Sequence, residues 1–180
     1  MISSIHKKNK LILISLVNLL FIGLAAINFT SCCAYSFTGA SVPEHLKTIA
    51  IPIADDRSGS AEPGLRESLT QKLIQKFIDD NTLQVSERTS ANALLECSIV
   101  SLSDAPAIVS AGESITSRRM TIGVKVIYRD LVKRTTIFEK TFSNYNDYPA
   151  NDPINGRQTA IDAAIDLISE DILLDTVSGW

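Results

Sequence analysis

Residues 118–130 read RRMTIGVKVIYRD, and the alternation within them decides the fold class. Side chains along a strand point to opposite faces with a period of two. Met120, Ile122, Val124, Val126 and Tyr128 therefore share one face, and Arg119, Thr121, Gly123, Lys125, Ile127 and Arg129 share the other. The first face is apolar enough to be core. The second carries the cations. A helix, with about 3.6 residues per turn, would scatter both sets around its circumference.

Working outward, DLVKRT makes a tight turn into TTIFEKTFSNYNDY (135–148), where Phe138 and Phe142 share a face. The two segments predict a hairpin, with Lys133 and Arg134 in its turn. Upstream, ANALLECSIVSLSD (91–104) alternates Leu95, Cys97 and Ile99 against Glu96 and Ser98. APAIVSAGESI, with Pro106 and Gly112, reads as a loose connection, and LQVSE (83–87) as a short strand. TIAIPI (48–53) puts Ile49, Ile51 and Ile53 on one face, and Pro52 places that strand at an edge or ends it. ADDRSGSAEPG (54–64) is rich in turn formers, so the adjacent Asp55 and Asp56 read as part of a turn.

Two stretches carry the helical period. From Pro63 to Asp79, Leu65, Leu69, Leu73 and Phe77 recur every fourth residue, with Ile74 and Ile78 widening the stripe. The last element opens with Asp152 as N-cap and Pro153 in the first turn. Ile154, Ile161, Ala164, Ile165, Ile168 and Ile172 line one side of it, and Asp162, Asp166 and Glu170 another. That acidic row has the look of a metal comb, but one helix seldom coordinates alone, and a solvated face is the simpler reading. The order β-α-β-β-β-β-α predicts an α+β fold, with two amphipathic helices on one face of a mostly antiparallel four- or five-stranded sheet. The face bearing Arg119, Lys125 and Arg129 would then be open.

The front of the chain is different. His6, Lys7, Lys8 and Lys10 precede an apolar run from Leu11 to Ile27, then NFTSCC brings small residues before Cys32. A basic head, an apolar middle and small residues at the exit make a secretion leader. Thr30 and Ser31 ahead of Cys32 fit a cysteine that receives a diacylglyceryl group; a plain leader and an uncleaved anchor helix are the alternatives. Phe29 stands where Leu is usual, and Cys33 follows as an idle neighbour. Residues 1–31 are thus expected to be a lipoprotein signal peptide, 32–47 a lipid-anchored tether and 48–180 one α+β domain.

Without residues 1–31 the chain has 14 Lys+Arg against 20 Asp+Glu, a formal charge of −6. Such a chain is a poor general binder of nucleic acid. Cys97 lies in an apolar run, where a free cysteine is usually a small buried hydrophobe. No Cys/His spacing suggests zinc and no glycine pattern suggests a phosphate cradle. The one histidine past the leader, His45, falls in the tether, a poor place for a preorganised base, and Glu44–His45 reads as solvent-exposed. The sequence points away from an enzyme, a metal centre and a cofactor.

Several stretches together resemble the LptE family: CAYSFTGASVPEHLKTIAIPIADDRSG after the lipidation signal, SLTQKLIQKFIDDNTLQV, ALLECSIVSLSDAPAIVS, RMTIGVKVIYRD and FEKTFSNYNDYPA. YSFTGAS after the cysteine is the most specific of these, and FSNYNDY the second. The form resembles the branch found in Bacteroidetes and green sulfur bacteria. The resemblance implies a non-catalytic outer-membrane lipoprotein, two helices on a four-stranded sheet, held by its lipid and facing the periplasm. It implies that the protein plugs the lumen of the β-barrel LptD, helps that barrel assemble and assists lipopolysaccharide insertion into the outer leaflet. Arg119, Lys125 and Arg129 are the candidate contacts to lipid or barrel wall, with a merely solvated hairpin as the alternative. TIAIPIADDRSG is also similar to the first strand and loop of secretion-channel lipoproteins such as the curli exporter family, which would make the chain a scaffold or channel subunit of another envelope machine.

Overall fold

The structure, a computed structural model, describes residues 42–109 and 115–178. Eight elements follow one another: β1 (Thr48–Ala50), β2 (Asp55–Asp56), α1 (Leu65–Asp80), β3 (Gln84–Val85), β4 (Ala93–Val109), β5 (Ile115–Asp130), β6 (Thr135–Pro149) and α2 (Asn155–Ser178). The strands form one sheet in the order β3-β1-β4-β5-β6, with β2 paired to β4 beyond β1. The α+β class and the two-helix layer are as expected, but the sheet has six strands and is mixed. β4, β5 and β6 run antiparallel, while β1, β2 and β3 pair in parallel. The parallel part follows from α1, which carries the chain from β2 back to begin β3 beside β1; strands joined by a helical crossover run the same way.

The extra strand comes from Pro52. Ala50 pairs with Leu94 and Asp55 with Ser98, so the residues between them on β1–β2 outnumber those on β4 by one. A proline at that bulge forgoes only a ladder bond the chain has already lost. The extra residue alters the facing: Ile49 and Ile51 are core, but Ile53 is 52% exposed, and Asp55 and Asp56 lie in a strand instead of a turn. At the other end, β4 runs through the expected loose connection as far as Val109. Beyond Ile99 it pairs only with β5 among the described strands, so Pro106 sits on what is locally an edge.

Helix α1 begins two residues later than Pro63, because Gly64 has φ +74 and a left-handed residue cannot belong to the helix. Leu65, Leu69, Leu73 and Phe77 are all buried, while Ile78 is exposed. Asp152 caps α2 as expected, its Oδ1 accepting from the Asn155 N–H at 3.2 Å. Ile154 precedes the first turn and is 80% exposed, so it lies outside the apolar stripe. The β5 core face is as the alternation predicts: Met120, Ile122, Val124, Val126 and Tyr128 are fully buried. α2 packs on β5 and β6, and its Asp175 and Asp171 meet Lys140 and Asn144 on β6. Lys140 and Asn144 stand opposite Val126 and Ile122, so the helix lies on the apolar face. Thr38–Trp180 make one compact unit. Among the described residues, no helix is long and apolar enough to cross a membrane.

Candidate functional site

The open face of the sheet is built by β4, β5 and β6, which are 17, 16 and 15 residues long. At about 3.3 Å per residue each spans roughly 50 Å. The three candidate contacts, Arg119, Lys125 and Arg129, all have carboxylate partners on neighbouring strands. Arg119 stands opposite Asp147 and donates to it twice, Nε to Oδ1 at 2.7 Å and Nη2 to Oδ2 at 2.9 Å. Its guanidinium carbon lies 3.8 Å from the centroid of the Tyr145 ring. Lys125 Nζ is 2.6 Å from Glu139 Oε1, one diagonal step along β6. Arg129 Nη1 is 3.3 Å from Glu96 Oε2 on β4, and Glu96 Oε1 lies 3.9 Å from Arg88 Nη2.

The hydrogen bond from Arg119 holds the Asp147 carboxyl below the usual carboxylate range, and that from Lys125 does the same for Glu139. The face is therefore polar and nearly neutral, a ladder of ion pairs and not a bare cationic stripe. The structure brings the three residues onto one face without making them one site: each sits with its own acid. Arg129 also borders a recess of about 380 Å3 beside the Pro52 bulge, shared with Ile53, Arg57, Arg88, Glu96 and Ile127.

The acidic row on α2 is engaged as well. Asp166 accepts from Lys72 at 3.2 Å and Lys76 at 3.3 Å, and Glu170 from Lys76 at 2.9 Å. These pairs sew α2 to α1 through Asp166 and Glu170, while Asp162 accepts from Gln158 on its own helix at 3.2 Å. No group of three His, Cys, Asp or Glu among the described residues could hold one. Cys97 is buried and free, and burial pushes its thiol up to about 12. Cys32 lies outside the described residues.

Two features escaped the sequence. The first is a polar cluster at the far end of the helix-bearing face. The Tyr148 hydroxyl donates to Asp104 Oδ2 at 2.6 Å, Arg118 Nε to Asp104 Oδ1 at 2.8 Å, and Arg157 is paired with Glu62 at 2.7 Å. It ties the loop before α1, the strands β4 to β6 and the start of α2 together. Five separate segments supply it, so no local pattern announces it. The second is His45. Expected to be exposed in a tether, it stands 2.6 Å from the buried Asp130 at the end of β5, and its neighbour Leu46 is core.

The family model for LptE, lipopolysaccharide assembly, matches residues 46–176. No curated protein matches the sequence. The fold is similar to that of a DUF330-family protein from Xanthomonas campestris, with TM-score 0.54 and 12% identity over 77% of this chain and 90% of that one. It is similar to a hypothetical protein from Chlamydia trachomatis, with TM-score 0.55 and 7% identity over 75% and 99%. The PelC dodecamer of Paraburkholderia phytofirmans gives TM-score 0.51 and 8% identity over 79% and 96%. At these identities the likeness is one of fold alone. The family match is of another kind, since it spans every strand and both helices up to Thr176, and by it the chain belongs to the LptE family of lipopolysaccharide-assembly proteins.

Proposed function

We propose that the chain is an outer-membrane lipoprotein, acylated at Cys32 after loss of residues 1–31, that occupies the lumen of the LptD barrel. In that place it helps the barrel assemble and assists passage of lipopolysaccharide into the outer leaflet, without catalysis. The observation that carries this reading, beside family membership, is the open face of the sheet. A plug needs a rigid, polar, wetted surface, because the lumen of an outer-membrane barrel is polar. The ion-paired ladder of Arg119–Asp147, Lys125–Glu139 and Arg129–Glu96 is such a surface, rigidified on its other side by two helices. Arg119, Lys125 and Arg129 are then contacts to the barrel wall, each able to trade or share its acid with a polar group of the lumen. Gly123, with Ser101 beside it, keeps the centre of that face low.

The experiment is affinity purification of the full lipoprotein from outer membranes, with identification of the major partner and the mass of the mature N-terminus. One large barrel in equal amount, with acyl chains on Cys32, is the expected result. A homo-oligomer with no barrel would overturn it in favour of a scaffold or channel subunit of another envelope machine; the PelC neighbour is itself a dodecamer.

A further inference from the structure

Among the described residues most cations are spent on carboxylates; of the four that are not, Arg66 donates to the Ala54 carbonyl at 2.9 Å, and the other three gather in one place. Among the described residues, no carboxylate oxygen lies within ion-pair distance of Lys47, Lys133 or Arg134. All three are exposed. Lys133 and Arg134 form the turn between β5 and β6 together with Leu131 and Val132, and Val132 is 56% exposed. Lys47 belongs to the same end of the sheet: its N–H donates to Asn92 Oδ1, and Asn92 accepts through its own carbonyl from Leu131 N–H at 2.8 Å.

The backbone at the turn points the same way. Arg134 has φ +58, a left-handed conformation that Gly or Asn adopts more cheaply. A long cationic side chain is held where the turn alone would favour a small one. The turn also borders an open recess of about 330 Å3, lined by Arg129, Asp130, Leu131, Arg134, Thr135 and Thr136. The acids nearby do not cancel the turn: Glu44, exposed beside His45, is one carboxylate against three cations. Asp130 is buried and occupied by His45 and the Lys133 N–H. Asp79 and Asp80 close α1 next to β3, at the opposite edge of the sheet from β6.

What lies beside this turn is the start of the described chain. His45 is fastened to Asp130 at the foot of the turn, and Leu46 is buried. Nine residues lie between Cys32 and Val42. Fully stretched, that length of chain spans at most about 35 Å. A lipid on Cys32 therefore keeps this end of the sheet close to the bilayer.

From these observations we infer that the β5–β6 turn, with Val132, Lys133 and Arg134, and Lys47 beside it, is a membrane-docking tip that rests on an anionic phospholipid surface next to the lipid anchor. It rests on the reading of Cys32 as the acylated residue. The occupant follows from charge and geometry. Exposed cations around one exposed apolar side chain fit a phosphate-bearing interface, with Val132 entering the headgroup layer and the recess at Arg129 and Arg134 receiving a phosphate. Each cation near such a surface raises partitioning about fivefold. The tip would set the orientation of the sheet relative to the membrane, which a lipid anchor at one point alone leaves free.

The test uses the full lipidated chain in vesicles. An environment-sensitive fluorophore is placed at Val132→Cys in a Cys33→Ser background, where buried Cys97 does not react, and at Thr116→Cys, at the other end of β5, as a control. With phosphatidylglycerol in the vesicles, the label at 132 should shift to the blue and be quenched by brominated acyl chains. The label at 116 should stay in water. In phosphatidylcholine alone, or with Lys133→Glu and Arg134→Glu, the shift at 132 should be lost. A label at 132 that stays in water on anionic vesicles, or that enters neutral and anionic vesicles alike, overturns the proposal. The mass of the N-terminus in the same sample separates the two readings: a chain without acyl groups at Cys32 ends the lipoprotein reading and this inference with it, while an acylated chain with a wet Val132 ends this inference alone.

Discussion

His45 Nε2 lies 2.6 Å from Asp130 Oδ2, across 85 residues of sequence, and joins the segment before β1 to the end of β5. Burial alone would push the Asp130 carboxyl up. Hydrogen bonds from His45 and from the Lys133 N–H outweigh it and hold the group below its usual value. A carboxyl whose pKa is lowered by folding stabilises the fold above its unfolded value, 3.8, and that contribution disappears as pH falls through the lower folded value. Asp130→Asn should therefore destabilise the domain at neutral pH and flatten the loss of stability below about pH 4. His45→Ala should cost about 1–3 kcal/mol, since it leaves a buried acceptor with one partner fewer. Urea titrations from pH 3 to 7 measure both; an unchanged acid limb in Asp130→Asn would show that other carboxylates govern it.

The seam between the helices makes a second prediction. Lys76 is the hub, shared by Asp166 and Glu170, and its bond to Glu170 raises its pKa. Both acids are close to half exposed, so solvent screens the pairs. Lys76→Ala should cost no more than about 1 kcal/mol, and the difference from wild type should vanish in about 1 M salt. A larger loss that salt leaves intact would mean that the lysine stem is packed, and that its charge is incidental.

Leu73→Ala should cost about 2–5 kcal/mol, because Leu73 is fully buried between the helix and the sheet. Leu69→Asp and Ile165→Asp should unfold the domain. Leu174, an apolar residue of α2 that is 46% exposed, should accept Asp within about 0.5 kcal/mol. Thermal melts of the four variants separate a correctly assigned helix stripe from one rotated by a residue.

The parts of the fold that could be read in advance are those in which one period governs a long run. Met120 to Tyr128 and Leu65 to Phe77 each repeat one spacing for several turns or pleats, and both are buried as the spacing requires. Reading failed where a single residue resets the period. Pro52 shifts β2 by one place and turns Ile53 outward, and no count of apolar residues reveals that. The site was half legible for a related reason. Alternation puts Arg119, Lys125 and Arg129 on the open face, but their acids stand on other strands, at positions fixed by register. The same holds for His45, whose partner is 85 residues away.

The last prediction separates the fold from the contact on the open face. Lys125→Glu alone places a carboxylate beside Glu139, and like charges at neighbouring positions across strands oppose pairing. It should therefore lower both the melting temperature and association with the barrel, and by itself it decides nothing. The double exchange Lys125→Glu with Glu139→Lys keeps the pair and reverses its direction. Melting should return to near the wild-type value, because both side chains are exposed and the cross-strand pair is restored. If the face meets the barrel wall, association should stay weakened, since a wall arranged for a cation at 125 now meets an anion there. The loss should be greatest at low salt, where the mismatch is least screened. Co-purification of barrel with wild type, single and exchanged variants, at two salt concentrations, gives the result. Full recovery of association together with stability would show that this pair serves only the fold, and that the barrel is met elsewhere on the protein.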